Sequence, residues 1–169
     1  MARFFTFNIG EEEIKTTIIA NELALEVGLK LLLSVIDVEL LKKNCADSNY
    51  ERVVGLDIEK SFRSTRDGVV IEKVAVSKLC ADDFCLIVHL LHSKKIPTSL
   101  YKFLDLSDIT VVGLGIKQNL CDLRRDYGIQ CRNVVVELTD LAPAVKKGFH
   151  RETLYLCGFV QVCLWLSVY

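Results

Sequence analysis

The sequence has no excess of either charge: 21 Lys and Arg against 22 Asp and Glu leave a net charge of −1 over 169 residues. This excludes a protein that holds nucleic acid by a broad cationic field, which requires a strongly basic domain or stripe. It leaves room for an enzyme that grips phosphate locally. Long apolar runs are missing as well. The C-terminal LYLCGFVQVCLWLSVY is broken by Gln161 and Ser167 and falls short of the roughly 20 residues needed to span a bilayer, so no membrane partner is expected. The N-terminal MARFFTFNIGEEE runs straight into acids without the apolar core of a secretory signal. The seven cysteines, an odd number, include no CxxC pair and read as small buried hydrophobes in a reducing, intracellular compartment, nucleus or cytoplasm. With no GxSxG elbow and no phosphate-loop lysine, the sequence also offers neither a hydrolase serine nor a nucleotide triphosphate cradle.

What is there suits one core-forming domain over residues 1–169. The chain is 51% apolar, and at this length folding removes roughly 70% of the unfolded surface from water without help from a disulfide or structural metal. Two alternating runs, Phe4 to Ile9 and Ile14 to Ile19, flank Gly10 and the acids Glu11 to Glu13, predicting a hairpin. Asn21 is placed to cap a helix from Glu22 to about Lys43, with Leu23, Leu25, Val27, Leu31, Leu32, Val35, Ile36, Val38 and Leu41 on its apolar side and Gly28 weakening its middle. This hairpin and helix fill residues 1–50.

Residues 52–145 form the core. RVVGLDIEKSF, the run from Val69 to Leu79 and FCLIVHL predict an antiparallel meander, with Asp82 and Asp83 at its second turn. A helix over Ser99 to Leu104, the strand ITVVG, a helix from about Lys117 to Tyr127 stopped by Gly128, the strand NVVVEL and a helix from Thr139 follow. Three antiparallel strands and then β-α-β-α make an α/β fold, a mixed sheet with helices against its faces. Residues 153–169 are an atypical apolar tail in which Val160, Val162, Leu164, Leu166 and Val168 alternate like a strand.

The sharpest chemical feature is Asp57-Ile58-Glu59. Residues i and i+2 of a strand share a face, so Asp57 and Glu59 stand side by side and repel unless something positive sits between them. A divalent cation is the natural occupant, and oxygen ligands suit Mg2+ or Mn2+. The alternative is a solvated face of an edge strand, against which the apolar flank Val53, Val54 and Leu56 argues. Gly113-Leu114-Gly115 turns a strand into a helix whose first amides face a place for an anion. As a dinucleotide fingerprint the stretch fails, since the third glycine falls on Gln118. Cys80, Cys85, His89 and His92 have a superficial zinc spacing, but alternation along strands keeps them from converging.

Taken in order, these stretches resemble the DEDD-type 3′-5′ exonucleases of ribonuclease-H-like fold, especially the plant proteins similar to the Werner-syndrome exonuclease domain. VVGLDIE matches the family's first motif, VAVSKLCADDFCLIVHLLHSKKIPTSLYKFL its following strands, TVVGLGIKQNLCDLRRDYGI its second motif, and VVVELTDLA the stretch after it. The resemblance covers residues 1–145. It implies Asp57 and Glu59 as catalytic metal ligands, a two-metal Mg2+ or Mn2+ site, and hydrolysis of DNA or RNA phosphodiesters from the 3′ end. Lys94, Lys95, Arg124 and Arg125 are then secondary phosphate contacts.

The departures from the family pattern are specific. Asn119 stands where the second motif ends in aspartate, which keeps the shape and loses the charge; Asp122 and Asp126 further along the helix are not persuasive substitutes. Lys60 replaces the tryptophan usual after DxE and puts a cation beside the metal site. The third motif, a Tyr or His four residues before a last Asp, has no counterpart in the C-terminal portion, as expected of a truncated or mis-spliced member. Two readings follow: an exonuclease with an incomplete metal site, or an inactive member that binds nucleic acid or assembles with itself or with active paralogues. An unrelated α/β binding module stands only if the motif order is coincidence.

Overall fold

Alternation at the start of the chain builds the first two strands. In the computed structural model, which describes residues 2–9, 12–44, 52–91 and 98–140, β1 (Ala2–Ile9) and β2 (Glu12–Ile19) pair antiparallel from Ala2↔Ile19 to Ile9↔Glu12. They outrun the apolar stretches because ladder hydrogen bonds belong to the backbone and continue through Glu12 and Glu13. The hairpin joins the main sheet. β2 lies parallel to β5 (Phe84–His89), and the Lys15 amide donates to the Asp83 carbonyl at 2.7 Å while its ammonium meets the Asp83 carboxylate at 2.5 Å.

The meander follows as the sequence predicts. β3 (Arg52–Ser64) pairs antiparallel with β4 (Val70–Ala81), and β4 with β5 across the two-residue turn Asp82-Asp83. β6 (Ile109–Gly113) and β7 (Val134–Glu137) add in parallel beside β3, giving a seven-stranded mixed sheet in the order β1-β2-β5-β4-β3-β6-β7. β3 lies between β4 and β6 in the sheet order, but its pairing with β6 ends at Gly55↔Val112, so Asp57 and Glu59 are laddered on one side only, to β4.

The helices are α1 (Glu22–Asn44), α2 (Thr98–Leu104) and α3 (Ile116–Tyr127). Residues 138–140 are helical, and the rest of the helix expected from Thr139 lies outside the described residues. Asn21 caps α1 as predicted, its Oδ1 accepting from the Ala24 amide at 2.9 Å. The buried stripe of α1 is narrower than the pattern suggested: Leu25, Leu29, Leu32 and Ile36 are buried, whereas Leu23, Val27, Leu31 and Val38 face solvent. Gly28 has a packing reason, since a Cβ there would lie 2.7 Å from Ile19 Cδ1 and 2.8 Å from Leu86 Cδ1.

One hydrophobic cluster joins all three helices to one face of the sheet. It contains Leu25, Leu29 and Leu32 of α1, Leu100 and Leu104 of α2, and Ile116 and Leu123 of α3, with Val54, Leu56, Ile58, Leu79, Leu86, Ile109 and Val111 beneath them. The strand residues between these, including Asp57, Glu59 and Lys78, point to the opposite face by alternation. Arg52 secures the arrangement from the side, with Nη2 2.8 Å from Asp37 Oδ1 on α1 and Nη1 paired with Asp108 just before β6.

Gly113 closes β6 against β3 immediately before Asp57. A Cβ at Gly113 would stand 2.4 Å from the Leu56 carbonyl oxygen, a backbone atom that cannot swing aside. Gly113→Ala is expected to cost about 2–3 kcal/mol, the scale of overpacking in a rigid contact, read as a lower urea midpoint with an unchanged slope.

Candidate metal centre on the Asp57–Glu59 strand

Leu56 and Ile58 anchor β3 in the core, which leaves Asp57 and Glu59 side by side on the other face, as the two-residue period predicts. The positive partner that this arrangement demands comes from the chain itself. Backbone register sets Lys78 of β4 directly opposite Asp57. Its Nζ lies 2.5 Å from Glu59 Oε1 and 3.3 Å from Asp57 Oδ2, and the side chain is only 3% exposed. Sequence reasoning missed Lys78 because it sits inside VAVSKLC, read only as part of the second strand of the meander. The available signal was a lone lysine at the position that a meander pairs with the first acid.

These residues do not fit a divalent cation. A dication attracted by each carboxylate at 4 Å gains about 8 kcal/mol at an effective dielectric of 20, and an ammonium at the same distance cancels one of the two contributions. The N–H groups of Lys78 also occupy carboxylate lone pairs that Mg2+ or Mn2+ would require. Among the described residues no group of three or more His, Cys, Asp or Glu side chains converges.

Asn119 does not complete the set. It stands in the first turns of α3, and its Nδ2 donates back to the Leu114 carbonyl at 3.3 Å. Lys60 does not put a cation beside the carboxylates either. One residue beyond Glu59, it turns to the α3 side, 2.6 Å from Asp122 Oδ2 and 2.7 Å from Glu72 Oε1. Asp122 and Asp126 are structural. Asp122 is buried and also meets Arg125 Nη1 at 2.8 Å, whereas Asp126 accepts from Arg125 Nε and from the Val74 amide, both at 2.7 Å. The Tyr127 hydroxyl donates to the Val74 carbonyl at 2.6 Å, and burial pushes its pKa up to about 12.

The start of α3 has an anion, and it is internal. Glu137 of β7 accepts from the amides of Gly115 at 2.9 Å and Ile116 at 3.0 Å. Gly115 reaches this geometry at a φ of 58°, a conformation glycine adopts without strain. Of the basic pairs, Arg125 is neutralised by Asp122, Asp126 and Glu72, and Lys94 and Lys95 lie outside the described residues. Cys80 and Cys85 are buried cross-strand partners with Sγ atoms 2.7 Å apart, while Cys121 is exposed, contrary to the reading of every cysteine as buried. His92, His150 and the apolar tail lie outside the described residues, among which no helix is long and apolar enough to cross a membrane.

With this geometry in place, the relationships of the chain are clear. No family model matches it. It is 41% identical over 92 residues to a 3′-5′ exonuclease of Arabidopsis thaliana, a match that takes in 53% of this chain and 30% of that relative. Among solved structures it resembles the EXD2 exonuclease domain, with a TM-score of 0.56 and 20% identity over 77% of this chain and 61% of that one. It also resembles the same domain soaked in Mn and GMP, with a TM-score of 0.55 and 19% identity over 80% and 62%. The fold therefore matches that of the EXD2 exonuclease domain, a mixed sheet flanked by helices. In sequence the chain is related to a 3′-5′ exonuclease and spans less than a third of that relative's length.

The α3 network sets an acid dependence. Burial raises the Asp122 carboxyl, but the ammonium of Lys60, the Gln118 amide and Arg125 outweigh it and hold it below its ordinary 3.8. Arg125 and then the Val74 amide, working against burial, hold Asp126 down as well. Depressed carboxyls contribute stability that is fully present above 3.8 and lost as pH falls through their lower folded values. Asp122→Asn is expected to cost about 2 kcal/mol at neutral pH and to flatten the loss of stability below pH 4, checked by urea melts along a pH series.

Proposed function

We propose that the chain is a member of the 3′-5′ exonuclease group that engages nucleic acid without hydrolysing it. The kinship in sequence and fold supports nucleic acid as the ligand class. One observation carries the loss of hydrolysis: the two carboxylates that would hold Mg2+ or Mn2+ are closed on Lys78. Asn119, an amide already engaged by Leu114, adds no charge to replace what they lack. Two-metal hydrolysis depends on hard cations that activate water and flank the displaced phosphate, and misplacing such groups costs orders of magnitude in rate.

A second reading, assembly with itself or with active paralogues, is favoured by the outer face of α1. Leu23, Val27 and Leu31 recur at four-residue spacing and are 75%, 61% and 44% exposed. A buried helix–helix contact is the ordinary use of such a stripe. Val27→Asp combined with Leu31→Asp is expected to lower the mass measured by light scattering if the stripe assembles, and to leave it unchanged if it does not.

Hydrolysis is tested directly. A 5′-labelled single strand and a recessed 3′ end incubated with Mn2+ are expected to remain full length while a gel shift reports binding. A ladder of shortened products that disappears in Asp57→Ala would overturn the proposal.

A further inference from the structure

We propose that Lys78 is a built-in cation that stands in for the divalent metal, closing the Asp57–Glu59 pair to Mg2+ and Mn2+ and letting the sheet fold without either. The inference rests on the non-hydrolytic reading above and gives its physical cause.

Three observations support it. The ammonium is delivered by the ladder and not by a loop, because Lys78 is the register partner of Asp57 in the β3–β4 pair. It lies deeper than the groups it pairs with: the Lys78 side chain is 3% exposed, against 21% for Asp57 and 40% for Glu59. A surface lysine swings away at little cost, but a buried ammonium that loses its carboxylates is left as an uncompensated charge. The charges balance only one way at a time. Two carboxylates and Lys78 leave a residual −1, whereas the same carboxylates without it present the −2 that matches a dication.

The test measures metal binding, not turnover. Free Mn2+ is followed by electron paramagnetic resonance in the wild-type chain, in Lys78→Met, in the milder Lys78→Gln, and in each of these combined with Asp57→Asn. The wild type is expected to take up no Mn2+ up to about 1 mM, and the Lys78 variants to bind one ion at least about tenfold more tightly, with the gain lost on adding Asp57→Asn. The melting temperature of Lys78→Met should rise with Mn2+ while that of the wild type stays level. If Lys78→Met is unfolded in chelator, refolding on Mn2+ seen by circular dichroism is the same gain.

Stoichiometric Mn2+ binding by the wild type that Asp57→Asn removes overturns the inference without requiring any Lys78 variant to fold. So does a folded Lys78→Gln that binds no more tightly than the wild type. A wild-type chain that binds Mn2+ yet leaves nucleic acid intact overturns this inference alone, while one that shortens the strand overturns the functional reading beneath it.

Discussion

Two carboxylates side by side on one face of a strand anchored in the core cannot stand unopposed, and the surroundings of β3 are arranged around that requirement. The Asp57–Lys78 register is available only because β4 returns antiparallel through a turn placed to bring position 78 opposite position 57. On the reverse side, Leu56 and Ile58 lock the strand's rotation by burial, so both acids stay on the face that carries Lys78. Gly113 presses β6 against the Leu56 carbonyl and keeps that part of β3 from moving along the sheet. The charge pair is thus held by apolar packing beneath it, and the packing in turn tolerates the carboxylates because an ammonium is built in beside them.

The helix side follows a similar logic with different groups. α3 presents Asp122, Arg125, Asp126 and Tyr127 to β3 and β4, and each is used within the fold: Asp122 on Lys60, Arg125 between two aspartates, Asp126 and Tyr127 on the backbone of Val74. At its other end the helix dipole is met by Glu137. Arg125, which the sequence offered as a phosphate contact, is thereby committed, with the two aspartates, to holding one helix against its sheet.

The sequence revealed much of this through periodicity. Strand alternation placed Asp57 and Glu59 on one face, the turn at Asp82-Asp83 was legible from its residues, and the order of motifs identified the fold. Other features were hidden because they depend on pairing across distance. Lys78 became part of the centre only through strand register, which a single sequence does not encode locally. Lys60 looked like a neighbour of the acids because it adjoins Glu59, yet one step along a strand reverses the face. The apolar positions of α1 were over-counted for a related reason: residue type does not reveal which of two stripes meets the sheet, and Leu29 took a buried place that the pattern had not marked.

The contact between α3 and Val74 also bears on how the sheet is bounded. β5 pairs with β4 only as far as Val76↔His89, so the next stretch of β4 would be an open backbone edge, a template for another strand. Asp126 takes the Val74 N–H and Tyr127 gives its hydroxyl proton to the Val74 carbonyl, while Leu90 and Leu91 donate to the Ala75 carbonyl. Two side chains of a helix and two amides of a departing loop thus imitate a missing strand. The gap in the ladder is occupied at Val74 and Ala75, and β1 forms the full-length open margin among the described strands on that flank of the sheet.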